Sequence, residues 1–157
     1  MRRLIAGAAA GAVGTAVLNI ITYADMAWRG RPASEMPARL VKILAARSGL
    51  ATLTADDEAA ANRRAALGAL LGYANGIGLG ALYGAIRPAL GERVSPLVGG
   101  LAAGAAAMAL SDVPASAAGA TDPATWKPAD WLADIVPHAF YGLAIALTFE
   151  ALNDRRT

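Results

Sequence analysis

The chain of 157 residues contains no cysteine, so disulfides, thiolate metal sites and cysteine nucleophiles are excluded together. Charge is scarce too: 17% of residues are Asp, Glu, Lys or Arg, against about 25% in an ordinary soluble domain. The basic residues are dispersed and the net charge is only +2, which excludes a nucleic-acid interface. With one histidine, no metal site is expected. Enzyme signatures are missing as well. There is no GxSxG, HExxH, GKS or GKT, and Gly76-x-Gly78-x-Gly80 follows no strand that would make it a dinucleotide fingerprint. The expectation is a protein without cofactor, metal or catalytic residues that is not an enzyme, with lipid-directed catalysis a distant alternative.

What is present is apolar. Hydrophobic residues make up 56% of the chain, and charge is absent over 22 consecutive residues from Ala65 to Ile86. At about 1.5 Å per residue that run spans roughly 33 Å as a helix, enough for the hydrocarbon core of a bilayer. Leu4–Ala24 and Val94–Ser111 are further uncharged runs, and Ile135–Phe149 reaches spanning length if its helix starts near Trp131 and ends near Leu152. The fold class expected is therefore all-α, a polytopic membrane protein with four transmembrane helices in one bundle over 1–157. The spans are expected at about 4–28, 65–86, 94–112 and 131–152.

Glycine argues against a soluble bundle of the same helices. Thirteen of the seventeen glycines fall inside the four spans. Each Gly in a water-exposed helix costs about 0.8–1 kcal/mol relative to Ala, whereas membrane helices use Gly for close packing. Gly68, Gly72, Gly76, Gly80 and Gly84 recur every four residues along one ridge of the second span. Five in register predict a tight helix–helix seam, with Gly7-xxx-Gly11 and Gly100-xxx-Gly104 as candidate partners.

Between the first two spans, Ser34 and Pro37 open a short amphipathic helix over about 34–48 that Gly49 ends. Its apolar side is Leu40, Val41, Ile43 and Leu44, opposite Arg39, Lys42 and Arg47, a pattern that suits a membrane interface or the end of the bundle. Thr54 with Asp56, Asp57 and Glu58 signals the start of the second long helix, and Pro88 and Gly91 its end. The third is expected to stop around Asp112-Val113-Pro114, leaving 115–127 as a loop. The fourth carries Pro137 inside and should bend there.

Alternating spans gather the unusual polar residues at one end. Asp25 and Arg29 close the first helix, Asp112 the third, and Asp134 and His138 open the fourth, each sequence pair four residues apart and on one helix face. Thr15, Asn19 and Thr22 continue the Asp25–Arg29 stripe inward, and Trp28, Trp126 and Trp131 fall at the same end as an aromatic belt would. Asp25, Arg29, Asp112, Asp134 and His138 are therefore candidates for an ion or proton site. The alternative is a set of ion pairs that fixes the bundle end. Asn19 and Asn75 lie deeper, where interhelical amide hydrogen bonds are expected.

The stretches TYADMAWRGRPAS (Thr22–Ser34) and SDVPASAAGATDPATWKPADWLADIVPHAFYG (Ser111–Gly142) resemble a group of small actinobacterial membrane proteins. The end of the third span through the fourth is similar, more distantly, to the YagU-like inner-membrane family. The likeness implies a bacterial inner-membrane protein with both termini cytoplasmic, and it brings no catalytic residue to carry over. Charge leans slightly the other way. Arg2, Arg3, Arg87, Arg93, Arg155 and Arg156 lie on the terminal side, against Arg29, Arg31, Arg39, Lys42, Arg47, Arg63, Arg64 and Lys127 opposite. The leading expectation is a non-catalytic accessory or scaffold unit built on glycine packing, its partners the lipid bilayer and another membrane protein or itself. The alternative is a small ion or proton transporter or channel using the one-sided polar cluster.

Overall fold

A computed structural model describes residues 1–91 and 94–154, so Arg93, Arg155 and Arg156 lie outside the described residues. Six α-helices follow one another: α1 (Arg2–Arg29), α2 (Met36–Arg47), α3 (Ala51–Thr54), α4 (Glu58–Leu90), α5 (Pro96–Ala118) and α6 (Pro128–Asp154). α1, α4, α5 and α6 are long and apolar enough to cross a membrane, with mean hydropathy of 1.4–1.9 over their most apolar stretches. Only 22–33% of those stretches is buried inside the bundle. Their outward sides therefore carry exposed apolar side chains, among them Ile20, Leu70, Val113, Leu132 and Leu147. Continuous apolar patches of that extent are foreign to monomeric soluble proteins.

Helix ends follow local chemistry, and several differ from the sequence reading. α4 starts at Asp57 rather than Thr54: the Asp57 carboxylate accepts from the Ala60 amide at 2.7 Å. Thr54 instead closes α3, donating to the Ala51 carbonyl, and Asp56 is taken by Lys42 at 2.6 Å. Ser34 stands outside α2, its Oγ accepting from the Met36 amide at 3.3 Å, while Pro37 occupies the first turn as expected. Pro88 does not end α4, which continues to Leu90 and stops at Gly91. α5 likewise runs through Pro114 to Ala118. The additional turn buries Ala115 completely, and Gly119 ends it in the left-handed conformation, φ 82°. Arg39 and Arg47 of α2 add donors to the carbonyls of Ala120 and Ala118, which satisfies a helix end that 115–127 would lack as a loop.

Packing places α1 between α4 and α6, and α6 between α1 and α5, so the lateral order is α4–α1–α6–α5. The shared core comprises Ala10, Leu79, Tyr83, Ala103, Tyr141, Ile145, Ala146 and Phe149. α2 lies on α4 at one end, burying Val41 and Ala45. At the other end Arg87 of α4 donates to Glu150 of α6 at 2.7 Å.

Glycine sets the close approaches, and the row on α4 divides. A Cβ on Gly76 would strike the Thr15 hydroxyl, one on Gly80 the backbone of Gly7 and Gly11, and one on Gly84 the Arg3 carbonyl. Gly7 and Gly11 are thus the partners of Gly76, Gly80 and Gly84 in an antiparallel α1–α4 seam. Gly68 instead meets Pro37 of α2, and Gly72 faces open space. Gly100 and Gly104, candidates for the same seam, pack on α6 at Gly142 and the His138 carbonyl. The reason is geometric: α1 occupies the glycine face of α4, so α5 finds its own small-residue partner in α6.

Candidate functional site

Six residues of α6 separate its start from Asp134 and ten from His138, so the two side chains lie roughly 9 and 15 Å along the helix at about 1.5 Å per residue. Asp112 approaches from α5, six residues before that helix ends. The antiparallel α5–α6 packing at Gly104 and His138 brings these three side chains together. The His138 Nδ1 is 3.2 Å from an Asp134 carboxylate oxygen and 2.8 Å from the Asp134 carbonyl. The Asp112 and Asp134 carboxyl groups are neighbours across the α5–α6 contact.

Donors are short in this cluster. Asp112 is 8% exposed, and its protein donor is the Ser111 hydroxyl at 3.3 Å. That hydroxyl has one hydrogen, already directed at the Met108 carbonyl at the shorter distance of 2.9 Å. The second Asp134 oxygen, Oδ2, is buried without a hydrogen-bond partner. Two neighbouring carboxyl groups with few donors repel one another when both are charged, so the pair is suited to bind a proton. His138 supplies a further protonatable nitrogen on the same face.

Asp25 and Arg29, expected in the same group, form a separate one. Arg29 holds both Asp25 oxygens at 2.7 Å, and Arg31 adds a third contact at 2.5 Å. This local pairing closes α1 and uses the two arginines that sequence reading made available to all the acids. Trp126 and Trp131 stack edge-on, ring centroids 5.0 Å apart, while Trp28 projects outward. Asn19 donates to the Tyr73 hydroxyl of α4 at 3.3 Å, the interhelical bond expected of it. Asn75 finds no such partner among the described residues.

Sequence reasoning missed Tyr141. It is 1% exposed and donates to the Gly76 carbonyl at 2.7 Å, beside Thr15, tying α6 to the α1–α4 seam. A tyrosine in mid-run is a signal in itself, because a buried phenol needs an acceptor. Gly142 was missed too, although Gly142-xxx-Ala146 is a small-residue pair of the kind sought elsewhere. Among the described residues no three His, Asp or Glu side chains are placed to hold a metal ion. Comparison of the chain with family models, curated proteins and solved structures returns no match.

Proposed function

We propose that this chain is a non-catalytic, four-span protein of the bacterial inner membrane, with both termini cytoplasmic, whose working part is the protonatable cluster of Asp112, Asp134 and His138. The observation that carries the reading is the meeting of two acids from different helices, Asp112 buried with one weak donor and Asp134 with one oxygen unpartnered and the other beside His138. Asp25, by contrast, is held on both oxygens by Arg29 and Arg31. Ionisable groups drawn into a membrane span are functional candidates by default. Here a proton gained or lost changes the contact between α5 and α6, while His138 Nδ1 is hydrogen-bonded to Asp134 and can pass a proton along the same face. The proposed activity is proton binding or transfer near one membrane surface. The apolar outer sides of the four long helices support a membrane location.

Reconstituted vesicles with an imposed pH gradient and an internal pH-sensitive dye provide the test. The wild-type chain should dissipate the gradient faster than empty vesicles, and Asp112→Asn and Asp134→Asn should abolish the difference. Asp112→Asn should also leave the fold intact, because its amide can donate to Asp134 as a protonated carboxyl would. Gradient loss that is the same in wild type and both variants would refute the reading.

A second reading is favoured by the α1–α4 seam and the α5–α6 crossing, both built on glycine. It makes the chain an accessory or scaffold unit whose role is helix packing, and copurification of a stoichiometric membrane partner without any proton flux would select it.

A further inference from the structure

α4 presents a second seam on the side away from α1. Asn75, Gly78, Leu82 and Ala85 follow one another at spacings of three, four and three, the repeat of a helix-pairing interface, and all four are exposed, while Leu71, one turn before Asn75, borders the groove beneath α2. A Cβ on Gly78 would meet nothing within 4 Å, so no neighbour inside the chain requires glycine there. Asn75 lies at the centre of the uncharged run Ala65–Ile86, and its amide has no hydrogen-bond partner among the described residues. On the membrane reading proposed above, on which this inference rests, that amide sits at mid-bilayer depth with nothing but lipid beside it. Hydrocarbon offers neither a donor nor an acceptor.

We propose that this face of α4 pairs with the same face of a second copy of the chain, Asn75 against Asn75 across a two-fold axis. Copies inserted in one membrane share an orientation, so their α4 helices run parallel and their Asn75 amides stand at equal depth. A carboxamide is donor and acceptor at once, so two of them satisfy each other and no complementary partner has to be supplied. Gly78, one turn away, lets the two backbones approach, and Leu82 flanks the contact. The glycine row facing α1 is fully engaged within the chain at Gly76, Gly80 and Gly84, so the two faces of α4 have different tasks.

The absence of cysteine allows a direct test in native membranes. Gly78→Cys is oxidised to form cross-links, with Leu147→Cys on the outward side of α6, 66% exposed, as the comparison. A cross-linked species of twice the chain's mass is expected from Gly78→Cys and not from Leu147→Cys. Adding Asn75→Leu should lower its yield by about threefold to tenfold. Equal cross-linking at both positions, indifference to Asn75→Leu, or capture of a protein of another mass at Gly78→Cys would each overturn the pairing. Alkaline carbonate washing of the same membranes separates the two claims. A chain retained after washing that gives no dimer refutes the pairing alone, and a chain released by the wash refutes the membrane reading beneath it.

Discussion

Replacing Gly80 and Gly72 by alanine should change stability in opposite directions, although both belong to the same four-residue repeat. At Gly80 a Cβ would stand 2.5 Å from the Gly7 carbonyl oxygen and 2.6 Å from the Gly11 nitrogen, where ordinary contact begins at 3.4 Å. These are backbone atoms, so no rotamer change relieves the overlap. α1 must move outward by about 1 Å, and a gap of that size forfeits a quarter to a half of each van der Waals contact along the seam. Overpacking of this kind costs about 1–3 kcal/mol, and the better helix propensity of Ala returns up to about 1 kcal/mol, for a net loss of up to about 3 kcal/mol. At Gly72 a Cβ meets nothing within 4 Å, so the propensity gain stands alone and the variant should be unchanged or firmer. Unfolding in mixed detergent–SDS micelles, followed by helicity, gives both values against wild type. Equal shifts for Gly80→Ala and Gly72→Ala would refute the assignment of Gly7 and Gly11 as the partners of this row.

Tyr141→Phe removes the hydroxyl that donates to the Gly76 carbonyl while keeping the ring, and should cost about 1 kcal/mol in the same unfolding assay; no loss would mean that the phenol does not join α6 to α4. Lys42 donates to Asp56 between α3 and α4 and holds its carboxyl below the ordinary value of 3.8. A carboxylate depressed in this way contributes its stabilisation above the ordinary value and loses it as pH falls through the lowered one. The Asp56 carboxyl should therefore titrate at lower pH in the wild type than in Lys42→Met, as read by the NMR shift of that carboxyl. Identical midpoints would show that the ion pair does not persist in solution.

The four long helices were legible because uncharged length and helix-compatible composition are properties of contiguous sequence. The pairs Asp25–Arg29 and Asp134–His138 were legible for the same reason, since four residues is one helical turn and the partners come with the segment. The meeting of Asp112 with Asp134 depends on which helices are neighbours, and so does the exclusion of Asp25 from it. Spacing along the chain carries no record of lateral order, which is why Gly100 and Gly104 were offered to α4 when α6 receives them. The end of α5 lies beyond Pro114, whereas α4 stops at Gly91 as its sequence indicated. Here Gly91 and Gly119 end the helices, and at α5 the distant guanidinium groups of Arg39 and Arg47 add donors that let the last turn form.

The lateral order α4–α1–α6–α5 has a consequence for biogenesis. A ribosome delivers α1 first, yet α1 becomes an interior helix, flanked on both sides by segments made later. If the helices insert as proposed, α1 must wait until α4 arrives with its glycine face, and the two then form one hairpin. α5 and α6 form the other as they emerge. The broad contact of α1 with α6 joins the hairpins, together with a smaller one of α4 with α5, and it cannot form until α6 is made. Chains arrested before α6 would hold an α1–α4 hairpin with its α6-facing side bare.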